Sequence, residues 1–142
     1  MPEARIADLF RVRPRFLRSA HLERDFQDTA ALDGYVSTPQ VQGYVKRIAA
    51  GLAPNSGQRA LRITGDYGVG KSSFALVLAH LLRGRARELP TGIRNAVDLA
   101  PRTPRLLPVL VTGSREPVSS AVLRALSRAL TALDAPAQKK LQ

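Results

Sequence analysis

The sequence predicts an α/β fold, a parallel sheet with flanking helices, and three observations predict it. Two short apolar runs, 60–64 and 106–112, alternate with segments of helical period. A long connection separates them, as a right-handed crossover between parallel strands requires. A glycine-rich stretch, 65–70, leads from the first run directly into a helix. The expected order is helix, strand, glycine-rich loop, helix, long connection, strand, helix.

An irregular, Arg-rich segment, 1–34, is expected to precede this core, which would occupy 35–142. In it Arg11, Arg13, Arg15 and Arg18 alternate with Phe10, Val12, Phe16 and Leu17, and the acids Glu23, Asp25, Asp28 and Asp33 follow. The first core helix is expected from Pro39 to Leu52. Thr38 suits its cap and Pro39 its first position. Val41, Tyr44, Val45, Ile48 and Leu52 recur along one face. Pro54 to Gly57 reads as a turn. Ala60 to Thr64 is the first expected strand. The helix from Lys71 to Arg83 is apolar on every face and so should be covered on more than one side, with Gly84 ending it. Residues 85–104 carry three prolines and form the connection, with a short helix near Ile93 to Leu99. Leu106 to Thr112 has the pattern of a buried parallel strand. Pro117 opens a last helix to Leu133, whose expected inner face holds Val118, Val122, Ala125, Leu126, Ala129, Leu130 and Leu133.

Composition narrows the function classes. The absence of cysteine excludes a disulfide scaffold and any thiolate metal site, and fits a reducing cytoplasm. No apolar run reaches the roughly 18 residues that span a bilayer. The net charge is +11, with arginine outnumbering lysine 18 to 4. One reading is a nucleic-acid partner contacted through Arg11, Arg13, Arg15 and Arg18. Another is a solvated basic surface, and a third is acidic counterparts elsewhere in a longer chain. No aromatic stacking pattern accompanies the arginines.

The stretch Gly65-Asp66-Tyr67-Gly68-Val69-Gly70-Lys71-Ser72 matches the P-loop pattern G-x-x-x-x-G-K-S/T in full. Its residue types answer to phosphate chemistry. Glycines open backbone angles closed to other residues and leave room beside the main chain. Successive N–H groups from about Gly68, Val69 and Gly70 to Ser73 can then point at phosphate oxygens, and the helix start adds its positive end. Lys71 is expected to reach the β- and γ-phosphates and to be the catalytic cation. Ser72 is expected to hold Mg²⁺, and Ser73 to contact the α-phosphate. The expected ligand is ATP with Mg²⁺. Asp66 should face outward, because an acid beside a triphosphate repels it.

A complete P-loop ATPase also needs a carboxylate at the end of a second strand. None follows an apolar run here: Leu106 to Thr112 ends in Gly113-Ser114. The expectation is therefore a partial P-loop NTPase core, the N-terminal piece of a longer ATPase that ends before its Walker B strand.

The P-loop and its surroundings resemble the AAA+ and STAND-like ATPases. Residues Arg62 to Leu76, with Phe16 to Asp25, also look like large bacterial anti-phage defence ATPases of the BREX type. The resemblance implies that Tyr35 and Val36 lie beside the adenine. It also implies an ATPase that rearranges a macromolecular assembly, on DNA in one version; an oligomer is one of the open expectations. A nucleotide-gated switch with slow turnover and a small-molecule kinase are the alternatives. For the kinase, Arg83, Arg85 and Arg87 are a partial lid candidate.

Overall fold

Local capping signals set where the helices begin and end in the computed structural model, which describes residues 20–89, 91, 94, 105–113 and 115–134. Four α-helices are described: α1 (Leu22–Asp25), α2 (Pro39–Gly51), α3 (Lys71–Leu82) and α4 (Val118–Asp134). Short 3-10 turns lie at Thr29–Leu32 and Ala86–Glu88.

The start of α2 follows from Thr38, whose hydroxyl accepts the Val41 N–H at 3.3 Å, with Pro39 in the first turn. Beyond its end, the Ser56 hydroxyl donates to the Gly51 carbonyl. A methyl at Gly51 would sit 2.5 Å from the Gln58 carbonyl oxygen, so the chain reverses there only because a hydrogen occupies that position. The end of α3 closes in two steps around Gly84, at φ 79°. The Gly84 N–H donates to Leu81 and the Arg85 N–H to His80, which satisfies two carbonyls that the helix leaves open.

The core forms around α3. Phe74, Leu76, Val77, Ala79 and Leu81 are buried, and with Phe26, Leu32, Val45, Ile48 and Leu89 they make one cluster. Each large aliphatic side chain so buried stabilises the fold by about 1.5–3 kcal/mol. The expectation that α3 is covered on more than one side holds. Tyr44 of α2 meets Phe74 edge-on at 6.2 Å, which seats α2 against the first turns of α3.

Three expectations are corrected. The first is the α/β class: no β-strand and no sheet exist among the described residues, so the parallel-sheet P-loop NTPase core is not seen. Residues 57–70 are exposed throughout, and Leu61 and Ile63 remain nearly half accessible. Residues 106–112 give their end amides to other partners. The Leu106 N–H donates to the Leu82 carbonyl at 2.8 Å and the Thr112 N–H to Glu23 at 3.1 Å. An apolar run becomes a strand only when a neighbour takes its ladder of bonds. Here the amides cap a helix end and a carboxylate instead.

The second correction concerns 20–34, expected to be irregular. His21 caps α1 through Nδ1, the Asp28 carboxylate caps the turn at Thr29, and Asp25, Phe26 and Leu32 are buried. The third concerns α4, which turns Ala121 and Ala125 inward and leaves Val118, Val122, Leu126, Leu130 and Leu133 exposed. The arginines Arg11, Arg13, Arg15 and Arg18 lie outside the described residues, and of the helix expected near Ile93 to Leu99 only Arg94 is described, in helical conformation. No helix among the described residues is long and apolar enough to cross a membrane.

Candidate phosphate-binding loop

Residues 65–70 reach α3 through two turns of opposite hand to ordinary backbone. Gly68 and Gly70 both stand at φ 85°, a region that costs an L-residue about 1–2 kcal/mol. A methyl at either position would meet no atom within 4 Å, so the space above the loop is open. Gly70 is the N-cap of α3 and makes no side-chain cap bond. The Phe74 N–H donates back to the Gly70 carbonyl at 2.9 Å, which closes the first helical turn. The amides of Lys71, Ser72 and Ser73, one turn earlier, are the ones a helix start leaves without intrahelical acceptors. Their partial positive charge gathers at this end.

Lys71 folds back over the loop. Its Nζ donates to the Gly65 carbonyl at 2.8 Å and to the Asp66 carbonyl at 2.6 Å. The ammonium therefore stands at the mouth of the loop, bound to neutral oxygens that an anion can replace with a stronger, charge-assisted partner. Sequence reasoning missed the two carbonyls that hold it, since any residue type supplies a carbonyl. Ser72 is exposed and Ser73 half-buried on the first turn. Val69 is exposed, as is Tyr67. Gly65 opens the loop, and a methyl there would sit 3.2 Å from the Val69 side chain.

The lysine and the loop carbonyls are thus brought together, and no bond of the loop involves the two upstream residues Tyr35 and Val36 among the described contacts. Tyr35 packs against the core cluster, its N–H on the Leu32 carbonyl at 3.0 Å, and burial raises its phenol above the ordinary value. Val36 is exposed.

A cleft between α1, α4 and the segment 105–113 lies elsewhere. Glu23, Phe26, Arg83, Leu110, Arg128 and Ala129 contribute to its walls. Arg83 follows the last residue of α3, about 18 Å along the helix from the loop, and its guanidinium lies 5.7 Å from the centre of the Phe26 ring. The cleft is therefore distinct from the phosphate-type loop.

The carboxylates with described geometry hold the fold. Burial alone would raise the Asp25 pKa, but the His21 N–H at 2.8 Å and the Arg24 guanidinium at 2.8 Å outweigh it and hold it low. Asp28 caps the turn that follows α1, accepting the Ala30 N–H at 3.0 Å. Glu23 accepts the Thr112 N–H and pairs with Arg128, while Arg124 pairs with Glu116. No group of three or more His, Cys, Asp or Glu that could hold a metal ion exists among the described residues.

Comparison with family models, curated proteins and solved structures finds no match for this chain.

Proposed function

We propose that residues 65–73 bind a nucleoside triphosphate, ATP with Mg²⁺. One observation carries this reading: Lys71 is poised on the Gly65 and Asp66 carbonyls beside the open space over Gly68 and Gly70. A polyphosphate entering there meets the backbone amides around Gly68 to Ser73 and draws the Lys71 ammonium from carbonyl to phosphate. Ser72, on the first turn and exposed, would give its hydroxyl to Mg²⁺. The ion would draw charge from the phosphate oxygens. Val69 supplies an amide rather than a side chain. Tyr35 and Val36 belong to the reading as neighbours of the base by resemblance alone.

Binding at this loop is proposed to act on a larger assembly in the cytoplasm, with nucleic acid as a partner through Arg11, Arg13, Arg15 and Arg18. The basic charge and the resemblance to defence ATPases support that extension. A nucleotide-gated switch with slow turnover is the second reading. It is favoured by Glu23, Asp25, Asp28 and Glu116 being committed to structural bonds. The kinase reading is disfavoured, because Arg83 stacks on Phe26 at the far end of α3.

Calorimetric titration of ATP and Mg²⁺ into wild type and Lys71→Ala tests the proposal. The expected loss is at least tenfold, about 1.4 kcal/mol, in a variant of unchanged helicity. Equal affinities would remove the loop as a nucleotide site.

A further inference from the structure

The loop at the start of α3 presents one kind of chemistry. Residues 57–70 are exposed throughout, and a methyl at Gly68 or Gly70 would meet nothing within 4 Å. The groups set around that open space are donors: the Lys71 ammonium, the Ser72 hydroxyl and the amides that open α3. Donors of this kind answer to phosphate oxygens. A base is read differently, by apolar walls that enclose the ring and by polar groups matched to its edge. With residues 57–70 all exposed, the described part of the loop builds no such wall.

The side chains near the loop do not tell one base from another. Tyr35 is half-buried and packs against the core cluster. Val36 and Val69 have no polar atom in their side chains. Tyr67 is 93% exposed, and an aromatic ring stacks on every base alike. Asp66 is exposed, and its charge opposes every triphosphate alike. The cleft walled by Phe26, Leu110 and Ala129 lies toward the other end of α3, about 18 Å along the helix.

We propose that this site reads the triphosphate and not the base. Its ligand class is the linear triphosphate with Mg²⁺, so ATP, GTP, CTP, UTP and inorganic tripolyphosphate all bind. The inference rests on the nucleotide reading of residues 65–73. The number of phosphates then sets the order of affinity, because each one removed takes away oxygens that the Lys71 ammonium and the amides would hold.

Calorimetric titration of the 142-residue chain with the five triphosphates and with AMP, in Mg²⁺, tests this. Salt is kept at about 150 mM to screen the surface charge. The four nucleotides should agree in Kd within about threefold, tripolyphosphate should be no more than about threefold weaker than ATP, and AMP should be weaker by at least about tenfold. A chain at +11 also adsorbs polyphosphate over its surface. Each titration is therefore repeated with Lys71→Ala, which should lose at least about tenfold for each of the five triphosphates with unchanged helicity. A preference of more than about threefold among the bases, or for ATP over tripolyphosphate, would overturn the inference and leave the nucleotide reading standing. AMP as tight as ATP would do the same. Binding that Lys71→Ala leaves intact is surface adsorption and would overturn both, as would a chain that binds none of the five.

Discussion

Helices α3 and α4 both draw mostly on leucine, alanine, valine and serine, yet they sit in the molecule in opposite ways. α3 buries Leu76, Val77 and Leu81 almost completely and is enclosed by α1, α2 and the turns beside them. α4 buries alanines and leaves four leucines in the open. Part of the difference is composition: α3 is apolar on nearly every face, whereas α4 carries Arg124 and Arg128 and is amphipathic. The rest lies in how each helix is held. α3 begins in a glycine loop, ends at Gly84 and has neighbours close in sequence on either side of it. α4 reaches the rest through polar bonds from Arg124 and Arg128 to Glu23, and turns only the small side chains Ala121 and Ala125 fully inward. The stripe of α4 that turns inward is the one beside the two arginines that reach Glu23.

The largest effect that tests this contrast is the same truncation made in each helix. Leu76→Ala removes a side chain that is 1% exposed, and should destabilise the fold by about 2–5 kcal/mol. Leu130→Ala removes one that is 46% exposed, and should cost no more than about 0.5 kcal/mol. Urea unfolding followed by circular dichroism measures both. Equal losses would mean that the α4 leucines are as enclosed as those of α3.

A smaller effect tests how α3 is started. Gly70→Ala places a methyl where nothing lies within 4 Å, so its whole cost comes from the backbone at φ 85°. That cost is about 1–2 kcal/mol. Denaturant midpoints of the two proteins give the value. A neutral substitution would show that the loop does not need its left-handed residue at the cap.

The sequence made some of this legible and not the rest. Thr38-Pro39 and Gly84 are local signals, and the bounds of α2 and α3 followed from them. The loop from Gly65 to Ser73 was legible for the same reason. Strands at 60–64 and 106–112 were not decidable from an apolar run, since the run says nothing about which amides will find a ladder partner. The inner face of α4 was hidden because alanine and leucine count alike in a periodicity. The attachment of α4 through Glu23 was hidden too, for Glu23 and Thr112 lie 89 residues apart.

That attachment yields the smallest and most specific test of the contrast. Glu23 accepts the Thr112 N–H at 3.1 Å and pairs with Arg128, with Arg124 at 3.9 Å. Burial pushes its pKa up, but the Thr112 N–H and the two guanidiniums together outweigh that and leave it below the ordinary 4.5. A carboxylate held low in the folded state contributes stability above its unfolded pKa, and loses it as pH falls through the folded value. Glu23→Gln keeps an acceptor for Thr112 and removes the charge. Arg128 is 49% exposed, so solvent screens the pair and the expected loss at pH 7 is only about 1 kcal/mol. The gap between wild type and variant should hold from pH 7 down to about 4.5, narrow below it, and close once Glu23 is protonated in both states. Asp25, also held low, titrates in the same range in both proteins and cancels in the difference. Thermal unfolding across pH 2.5–7 measures the gap. A gap that persists unchanged at the acid end would place the effect of Glu23→Gln in packing rather than charge, and α4 would then not be held by its ion pairs.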